Sequence, residues 1–156
     1  WLQKLNKSDI GPRLLFHDDD YFCYRFVKGK FLPDFIKDSS NDRTIAVIKN
    51  ILQQCRTLDR LKVDKEEMHH PWKHILVRSK PVLIDFEKCH YSEKPKNVSQ
   101  FCQFLTSKHM QQLLRRKTIN ISRERMLAAA KKYKKCQTEN NFDYLLQKIF
   151  IKKQKG

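Results

Sequence analysis

Glycine is scarce in this sequence, with only three glycines among 156 residues, at positions 11, 29 and 156. Their spacing cannot form G-x-G-x-x-G or G-x-x-x-x-G-K-[ST], which excludes the glycine-rich loops that bind nucleotide phosphates. Long apolar runs are also missing, since none approaches the ~20 residues that span a bilayer, and no signal-peptide pattern opens the sequence. We therefore expect a soluble protein without a membrane partner.

The cysteines follow no recognisable pattern. They are five in number, and none of them forms a C-x-x-C pair. An odd number of irregularly spaced cysteines is typical of reduced thiols rather than of a disulfide framework or a zinc site. We expect an intracellular, reducing compartment, either the cytoplasm or an organelle matrix. Because the sequence begins with Trp1, we also expect it to be a piece of a longer protein.

Negative charge is in short supply. The chain has 17 Asp+Glu against 33 Lys+Arg, which gives a formal net charge of +16. Its length of 156 residues fits one domain. Residues 101–156 carry 14 Lys+Arg and 3 Asp+Glu, so most of the excess lies there. The basic residues of this part form short runs: Arg115, Arg116, Lys117, Lys131, Lys132, Lys134, Lys135, Lys152, Lys153 and Lys155. Such a surface attracts RNA, DNA or acidic proteins, and the alternative is a solvated helical face without a specific partner.

Short apolar runs and turn residues predict two hairpins. The first joins strands at 14–16 and 21–27 through an acidic turn, Asp18-Asp19-Asp20. The second joins strands at 75–77 and 82–84 and is flanked by helical segments, so we expect it to be buried. Residues 64–74 are polar and contain a proline, which predicts a loop.

Helical periodicity covers most of the remaining chain. Apolar residues recur at three- and four-residue steps from Ile45 to Leu58, behind N-cap candidates at 39–42, which predicts an amphipathic helix. The other predicted helices are the end of one at 1–5 and four at 98–105, 108–116, 122–136 and 142–152, and residues 31–37 are predicted to form a short helix or a turn. The chain is therefore predicted to be α+β, with a little β structure followed mostly by helix.

The segment from residue 66 to residue 90 carries the side chains best suited to chemistry. Glu67 lies in the polar loop before the second hairpin, and Asp85 directly follows its last strand. A tight hairpin places these two positions at neighbouring ends of one rigid unit. In phosphoryl transfer one acid holds Mg²⁺ against the phosphates and another orients the attacking hydroxyl, so two well-held carboxylates suit that reaction.

Three motifs surround these acids in order: Glu67–Lys73 as E-M-H-H-P-W-K, Ile84–Glu87 as I-D-F-E, and Asn97–Phe101 as N-V-S-Q-F. With them, the sequence resembles the second half of a protein kinase. Among kinase-like families it is most similar to the atypical predicted serine/threonine protein kinases of archaeal type, which are distantly similar to the RIO kinases. The resemblance covers nearly all 156 residues.

The resemblance implies a protein-kinase-like fold of which the N-terminal lobe is largely absent. Residues 1–37 would hold the end of helix C, strands four and five and the hinge region. Residues 38–156 would form the helical C-terminal lobe, with the catalytic-loop hairpin at 64–90 and the basic helices at its end.

The resemblance also implies the cofactors ATP and Mg²⁺. Asp85 would bind the metal, and Glu67 and Asp85 would be the catalytic acids. The remaining candidates for cofactor binding are Lys73, His74 and Glu87. The implied reaction transfers a phosphoryl group to a hydroxyl of a protein substrate whose identity the sequence does not give.

Several positions depart from the kinase pattern. The Asp of H-R-D is absent, and Glu67 is the nearest acid, in a loop about two residues longer than the standard one. His74 occupies the place of a metal-binding Asn, and its nitrogen suits Mg²⁺ poorly. Ala46-Val47-Ile48-Lys49 imitates V-A-I-K but falls within the predicted amphipathic helix, so the kinase lysine and glycine-rich loop are missing.

These departures leave a second function open, that of an inactive kinase-like scaffold that binds RNA or a ribonucleoprotein such as a ribosome. The residues that would do so are Arg115, Arg116, Lys117, Lys131, Lys132, Lys134 and Lys135. Simpler interpretations also exist for the candidate site. Asp85 could cap a turn, Glu67 could be a solvated loop acid, and Asn97 and Gln100 are expected to cap a helix.

Overall fold

The computed structural model describes residues 1–149 of the chain. About half of the chain is helical and the strands form three small antiparallel sheets, so the α+β class is confirmed. No helix within the described residues is long and apolar enough to cross a membrane. The basic run at 152–155 and the predicted end of the last helix lie outside the described residues.

The elements of the first part of the chain are α1 (Leu2–Leu5), a 3₁₀ turn (Asn6–Ser8), β1 (Leu14–His17), β2 (Phe22–Tyr24), β3 (Lys30–Phe31), α2 (Leu32–Asp38) and α3 (Asn41–Arg60). The elements that follow are β4 (Val63–Asp64), β5 (Ile75–Val77), β6 (Pro81–Leu83), β7 (His90–Tyr91), α4 (Asn97–Leu105), α5 (Lys108–Arg116), α6 (Arg123–Lys135) and α7 (Glu139–Ile149).

The strands are distributed over three separate sheets. β1 pairs with β2 in the first hairpin, and β5 is the centre of a three-stranded sheet in the order β3-β5-β6. In that sheet Ile75 lies opposite Leu83. β4 pairs antiparallel with β7, with Val63 opposite Tyr91, and this pair joins two segments that are distant in sequence.

α3 organises the core of the molecule. The Ser40 side chain accepts a hydrogen bond from the Arg43 backbone N–H, which satisfies one of the free donors at the start of the helix. The apolar stripe predicted from the sequence is buried: Val47, Ile48, Ile51, Leu52, Cys55 and Leu58. α4 packs against α3, and α6 packs against both α4 and α7, which extends the core to the end of the described chain.

Most of the predicted elements are present, and their bounds differ at the ends. The predicted strand at 21–27 is shorter and spans only β2, while the strand predicted at 82–84 begins one residue earlier at Pro81. The last helix begins at Glu139 instead of residue 142. The two-residue strands β3, β4 and β7 were not predicted, because two residues are too few to show an alternating pattern.

Candidate active site

The pairing of β4 with β7 places the loop at 65–74 beside the segment at 85–89. The loop begins directly after β4 and runs to β5, and the segment links β6 to β7. The Ile84 backbone N–H donates a hydrogen bond to the His74 carbonyl oxygen over 2.9 Å, which extends the β5–β6 pairing by one step. The last loop residue and Asp85 are therefore held at one end of the same hairpin.

The structure brings Glu67, His74 and Asp85 together. The His74 Nε2 atom lies 3.4 Å from Oδ2 of Asp85 and 3.9 Å from Oε2 of Glu67. The His74 side chain is largely covered, whereas the two carboxylates are partly open to solvent. Two acids from separate segments thus converge on one imidazole.

The backbone is unusual at the acids of this cluster. Glu66, Glu67 and Asp85 have φ angles of 58°, 52° and 63°, in the left-handed region that side-chain-bearing residues rarely adopt. Such conformations cost free energy and persist only where surrounding contacts impose them, and they are frequent at functional sites. The Asp64 carboxylate accepts a hydrogen bond from the Glu66 backbone N–H over 3.0 Å and supports the first of these residues.

Lys65 is a component of the site that the sequence analysis missed. It is only 2% exposed, and its Nζ donates a hydrogen bond to the backbone oxygen of Asp85 over 2.6 Å. The amine also lies 5.0 Å from the centre of the Phe86 ring. Burial lowers the pKa of the Lys65 amine, while Cys89, Asp85 and Glu67 act in the opposite direction. No motif marks this lysine, since it differs from the many exposed lysines of the chain only in its burial.

Asn97 and Gln100 fix the backbone of the loop, so the expectation that they cap α4 is wrong. The Asn97 side-chain oxygen accepts from the Lys65 backbone N–H over 2.9 Å, and the Gln100 oxygen accepts from the Met68 N–H over 3.1 Å. The N-cap of α4 is Lys96, which makes no side-chain capping bond. Both side chains turn from their own helix to the loop because the loop has buried donors that need acceptors.

A buried carboxylate anchors Asn97 in turn. Asp59 accepts from the Asn97 amide over 2.8 Å and from the Tyr133 hydroxyl over 2.9 Å, and Arg56 donates to that hydroxyl over 3.1 Å. Burial raises the pKa of Asp59 to about 6, opposed by the hydrogen bonds from Asn97 and Tyr133. This network links α3, α4 and α6 to the start of the loop.

The charges around Glu67 and His74 set their protonation. Lys88 lies 2.5 Å from Oε1 of Glu67, and this hydrogen bond lowers the pKa of the Glu67 carboxyl. Burial, followed by the charge of Lys65, lowers the pKa of His74 and favours the neutral imidazole. Because carboxylates only accept hydrogen bonds, the His74 proton is assigned to Nε2, and the buried Nδ1 is left without a partner.

A cleft of about 540 Å³ opens beside the cluster. One wall is formed by residues 84–87, including Asp85 and Glu87, and the opposite wall by α1 and the β1–β2 hairpin. The lining of that wall is Trp1, Leu2, Gln3, Pro12, Leu14, His17, Asp18, Phe22 and Tyr24. The lining thus combines apolar and aromatic side chains with three carboxylates, those of Asp18, Asp85 and Glu87, a mixture typical of small-molecule sites.

The donor set near the cleft suits Mg²⁺ bound jointly with a ligand. Asp85 and Glu67 offer carboxylate oxygens, which Mg²⁺ prefers, whereas the His74 nitrogen is a poor ligand for it. Among residues 1–149, no group of three or more His, Cys, Asp or Glu side chains is arranged to hold a metal ion. Mg²⁺ would therefore need phosphate and water oxygens in addition to a carboxylate, which is its usual mode in phosphate-binding enzymes.

The remaining candidate residues lie apart from the cluster. Glu87 lines the cleft, whereas Lys73 is exposed on the loop and, within the described residues, forms no ion pair with the cluster acids. Of the predicted nucleic-acid-binding residues, Lys117 is partly buried and donates a hydrogen bond to the Ser39 carbonyl. The others are exposed, at the end of α5 and on α6: Arg115, Arg116, Lys131, Lys132, Lys134 and Lys135.

Cys89 and His90 do not form a nucleophilic pair. All five cysteines are free thiols, and Cys89 is buried, whereas the His90 side chain is exposed and lies 3.3 Å from the Glu66 carboxylate. Burial raises the pKa of Cys89 to about 11, so the thiol is protonated at neutral pH. A protonated buried thiol is a poor nucleophile.

No protein-family model matches the chain, and no curated protein matches it.

Proposed function

We propose that this protein is a kinase-like phosphotransferase that binds Mg-ATP in the cleft and transfers the terminal phosphoryl group to a protein hydroxyl. One observation carries the proposal: Glu67 and Asp85, from separate segments, converge on His74, and Asp85 lines the cleft. Two positioned acids, one of which lines a cleft with apolar and aromatic residues, match the needs of phosphoryl transfer, which depends on positioning and charge more than on covalent chemistry.

The kinase-like fold is part of this proposal. It is supported by the order of elements along the chain, in which a strand, an acidic loop, a buried hairpin, the Asp85 segment and a second strand follow one another. The pairing of β4 with β7 closes this unit. The resemblance of the sequence motifs to a predicted serine/threonine kinase family supports the same assignment.

Each acid has a separate role in the proposed reaction. Asp85 lines the cleft, where it would hold a Mg²⁺ ion that neutralises the charge of the nucleotide phosphates. Glu67 orients the attacking serine or threonine hydroxyl, and its lowered pKa makes it a better hydrogen-bond acceptor than base. The hydroxyl oxygen bonds to the terminal phosphorus, the bond from that phosphorus to the bridging oxygen breaks, ADP leaves, and the hydroxyl proton passes to water.

Calorimetric titration with ATP, with and without Mg²⁺, tests the proposal. We expect Mg-dependent binding by the wild-type protein and a loss of at least about tenfold in affinity for Asp85→Asn. Asp143→Asn, a change at an exposed aspartate of α7, is the matched control and should bind as the wild type does. Glu67→Gln should retain binding and lose transfer of labelled phosphate to protein serine or threonine.

Three results would contradict this function or part of it. ATP binding that is undetectable in the wild type would remove the nucleotide, and equal Mg-ATP affinity for wild type and Asp85→Asn would remove Asp85 as the metal residue. Binding without any transfer to a protein, at any substrate tried, would reduce the activity to that of a nucleotide-binding scaffold.

A second candidate function is RNA or ribonucleoprotein binding through the basic helices. The observation that favours it is the exposure of four lysines on α6, Lys131, Lys132, Lys134 and Lys135. A row of exposed cations on one helix attracts phosphate backbones, and the attraction weakens with salt because bound counterions are released.

Salt dependence of RNA affinity separates this candidate from the first. Replacing the four α6 lysines by Gln should flatten the plot of log affinity against log salt, by about 0.7 for each single-strand phosphate contact that is lost. A control variant of equal charge replaces four exposed lysines elsewhere: Lys7, Lys28, Lys80 and Lys94. Equal slopes for the two variants would assign the binding to net charge and remove the α6 surface as a site.

A further inference from the structure

Lys65 is an unusual lysine because its charge is buried. At 2% exposure it is more covered than the acids it accompanies, and lysine is among the residues least often buried completely. A buried ammonium group is tolerated where hydrogen bonds and nearby negative charge compensate for the water it has lost. Its one hydrogen-bond acceptor among the described residues is the Asp85 backbone oxygen, at 2.6 Å.

Both ends of this lysine are fixed. The Lys65 backbone N–H donates to the Asn97 side-chain oxygen. The Asn97 side-chain amide in turn donates to the Asp59 carboxylate and, over 2.7 Å, to the Val63 carbonyl oxygen. Its ammonium group ends at Asp85 and lies near the Phe86 ring. Lys65 therefore connects the buried hydrogen-bond network between α3 and α4 to the backbone of Asp85 in the cleft wall.

We propose that Lys65 is the positioning residue of the site, and that it holds Asp85 in its left-handed conformation with the carboxylate directed to His74 and the cleft. At a φ of 63° the Asp85 carbonyl is directed to the buried amine while the carboxylate lies 3.4 Å from His74. A negative φ at Asp85 would turn its carbonyl and its side chain together about the N–Cα bond, which would remove the carbonyl from Lys65 and the carboxylate from His74. The hydrogen bond selects the strained arrangement over that alternative.

Lys65 acts through Asp85 and is not itself assigned to contact a substrate. The effect of Lys65 on Mg-ATP binding rests on the proposed function, whereas its effect on the Asp85 backbone does not. Second-layer residues that orient a metal ligand typically change affinity by about 10- to 100-fold when removed. The same range is expected here for Mg-ATP.

NMR spectroscopy and nucleotide titration of two variants test the proposal. A residue with positive φ shows a strong nuclear Overhauser effect between its own amide and α protons, so Asp85 reports its own conformation. In Lys65→Met we expect this signal to weaken to that of an ordinary residue, and Mg-ATP affinity to fall by about 10- to 100-fold. Lys65→Arg, which keeps a cationic donor, should recover part of both. Lys80→Met, at an exposed turn between β5 and β6, is the matched control and should change neither.

The outcomes separate this proposal from the function it builds on. A Lys65→Met protein that is folded and keeps both the Asp85 signal and the affinity overturns the positioning role. Absence of nucleotide binding in every protein overturns the proposed function, while the Asp85 signal still decides the role of Lys65. If Lys65→Met does not fold, the test is made on the wild type. A scalar coupling between Lys65 Nζ and the Asp85 carbonyl carbon then demonstrates the hydrogen bond, and absence of that coupling overturns the proposal.

Discussion

The two hairpins of this protein have similar local structure and opposite surroundings. β5–β6 is buried, with Ile75 and Leu83 fully covered, whereas β1–β2 exposes six large apolar residues on or next to its strands. Those residues are Leu15, Phe16, Tyr21, Phe22, Tyr24 and Phe26. The difference arises from neighbours, because β5–β6 has a third strand, β3, and contacts α2 and α3, whereas β1–β2 is a sheet of two strands.

The buried hairpin is the more rigid of the two, and the exposed hairpin contributes to the lining of the cleft. Two-stranded hairpins are marginally stable alone, and a buried face against a third strand and helices is what fixes a hairpin rigidly. The buried hairpin carries His74 and Asp85 at its end, so these two residues are held rigidly. The exposed hairpin contributes Leu14, Phe22 and Tyr24, together with His17 and Asp18, to the lining of the cleft.

Truncation of one residue in each hairpin gives the largest expected effect. Ile75→Ala removes a fully buried side chain of β5 and should lower the free energy of unfolding by about 4 kcal/mol. Phe16→Ala, at a β1 residue that is 50% exposed, should cost about 1 kcal/mol, mainly through its lost contact with the Tyr21 ring. Urea unfolding measures both, and equal losses would mean that the two hairpins are equally integrated into the core.

The buried acid of α3, Asp59, should make stability depend on pH. Since burial raises the pKa of Asp59 to about 6, the folded protein holds a proton there that the unfolded chain releases near pH 4. The resulting stabilisation is present below about pH 4 and is lost as pH rises through 6, with a maximum near 3 kcal/mol.

Urea unfolding of wild type and Asp59→Asn between pH 4 and pH 7 isolates this contribution. As pH rises across that window, the unfolding free energy of the wild type should fall relative to that of Asp59→Asn. Asp143→Asn, a change at an exposed acid, should show the same pH dependence as the wild type. Parallel curves for wild type and Asp59→Asn would show that Asp59 titrates normally.

A smaller effect is expected where the chain from the exposed hairpin reaches the buried one. A Cβ atom at Gly29 would lie 2.9 Å from the Val77 carbonyl oxygen and 3.0 Å from its carbonyl carbon, both backbone atoms of β5. Gly29→Ala should therefore push β3 from β5 and cost about 2 kcal/mol. Lys28→Ala, one residue earlier and exposed, is the control and should stay within about 0.5 kcal/mol of wild type. Equal stability of the two variants would show that β3 moves freely.

The elements with long periodic patterns were predictable from the sequence. The bounds of α5 agree with the prediction, and the buried stripe of α3 is the one that periodicity gives. The loop position of Glu67 and the turn position of Asp85 also followed from local patterns. Their convergence on His74 depends on the β4–β7 pair, which two-residue strands could not reveal.

The contribution of the buried polar residues could not be predicted. Asn97 and Gln100 resemble ordinary helix-capping residues in the sequence, and their loop contacts exist only because α4 packs against the loop. Lys65 is one of many lysines until burial distinguishes it. A hydrogen bond to a distant backbone atom leaves no periodic signal.

The sequence by itself determined the α+β class, most of the helices, both hairpins and the basic character of the final third. These depend on local propensity, periodicity and charge, which adjacent residues express directly. Only the tertiary structure decided that Lys65 is buried against the backbone of Asp85, and that Asn97 and Gln100 bind the loop instead of capping α4. Such features depend on contacts between residues about 10 to 40 positions apart, whose free energy is gained only when the whole core closes around them.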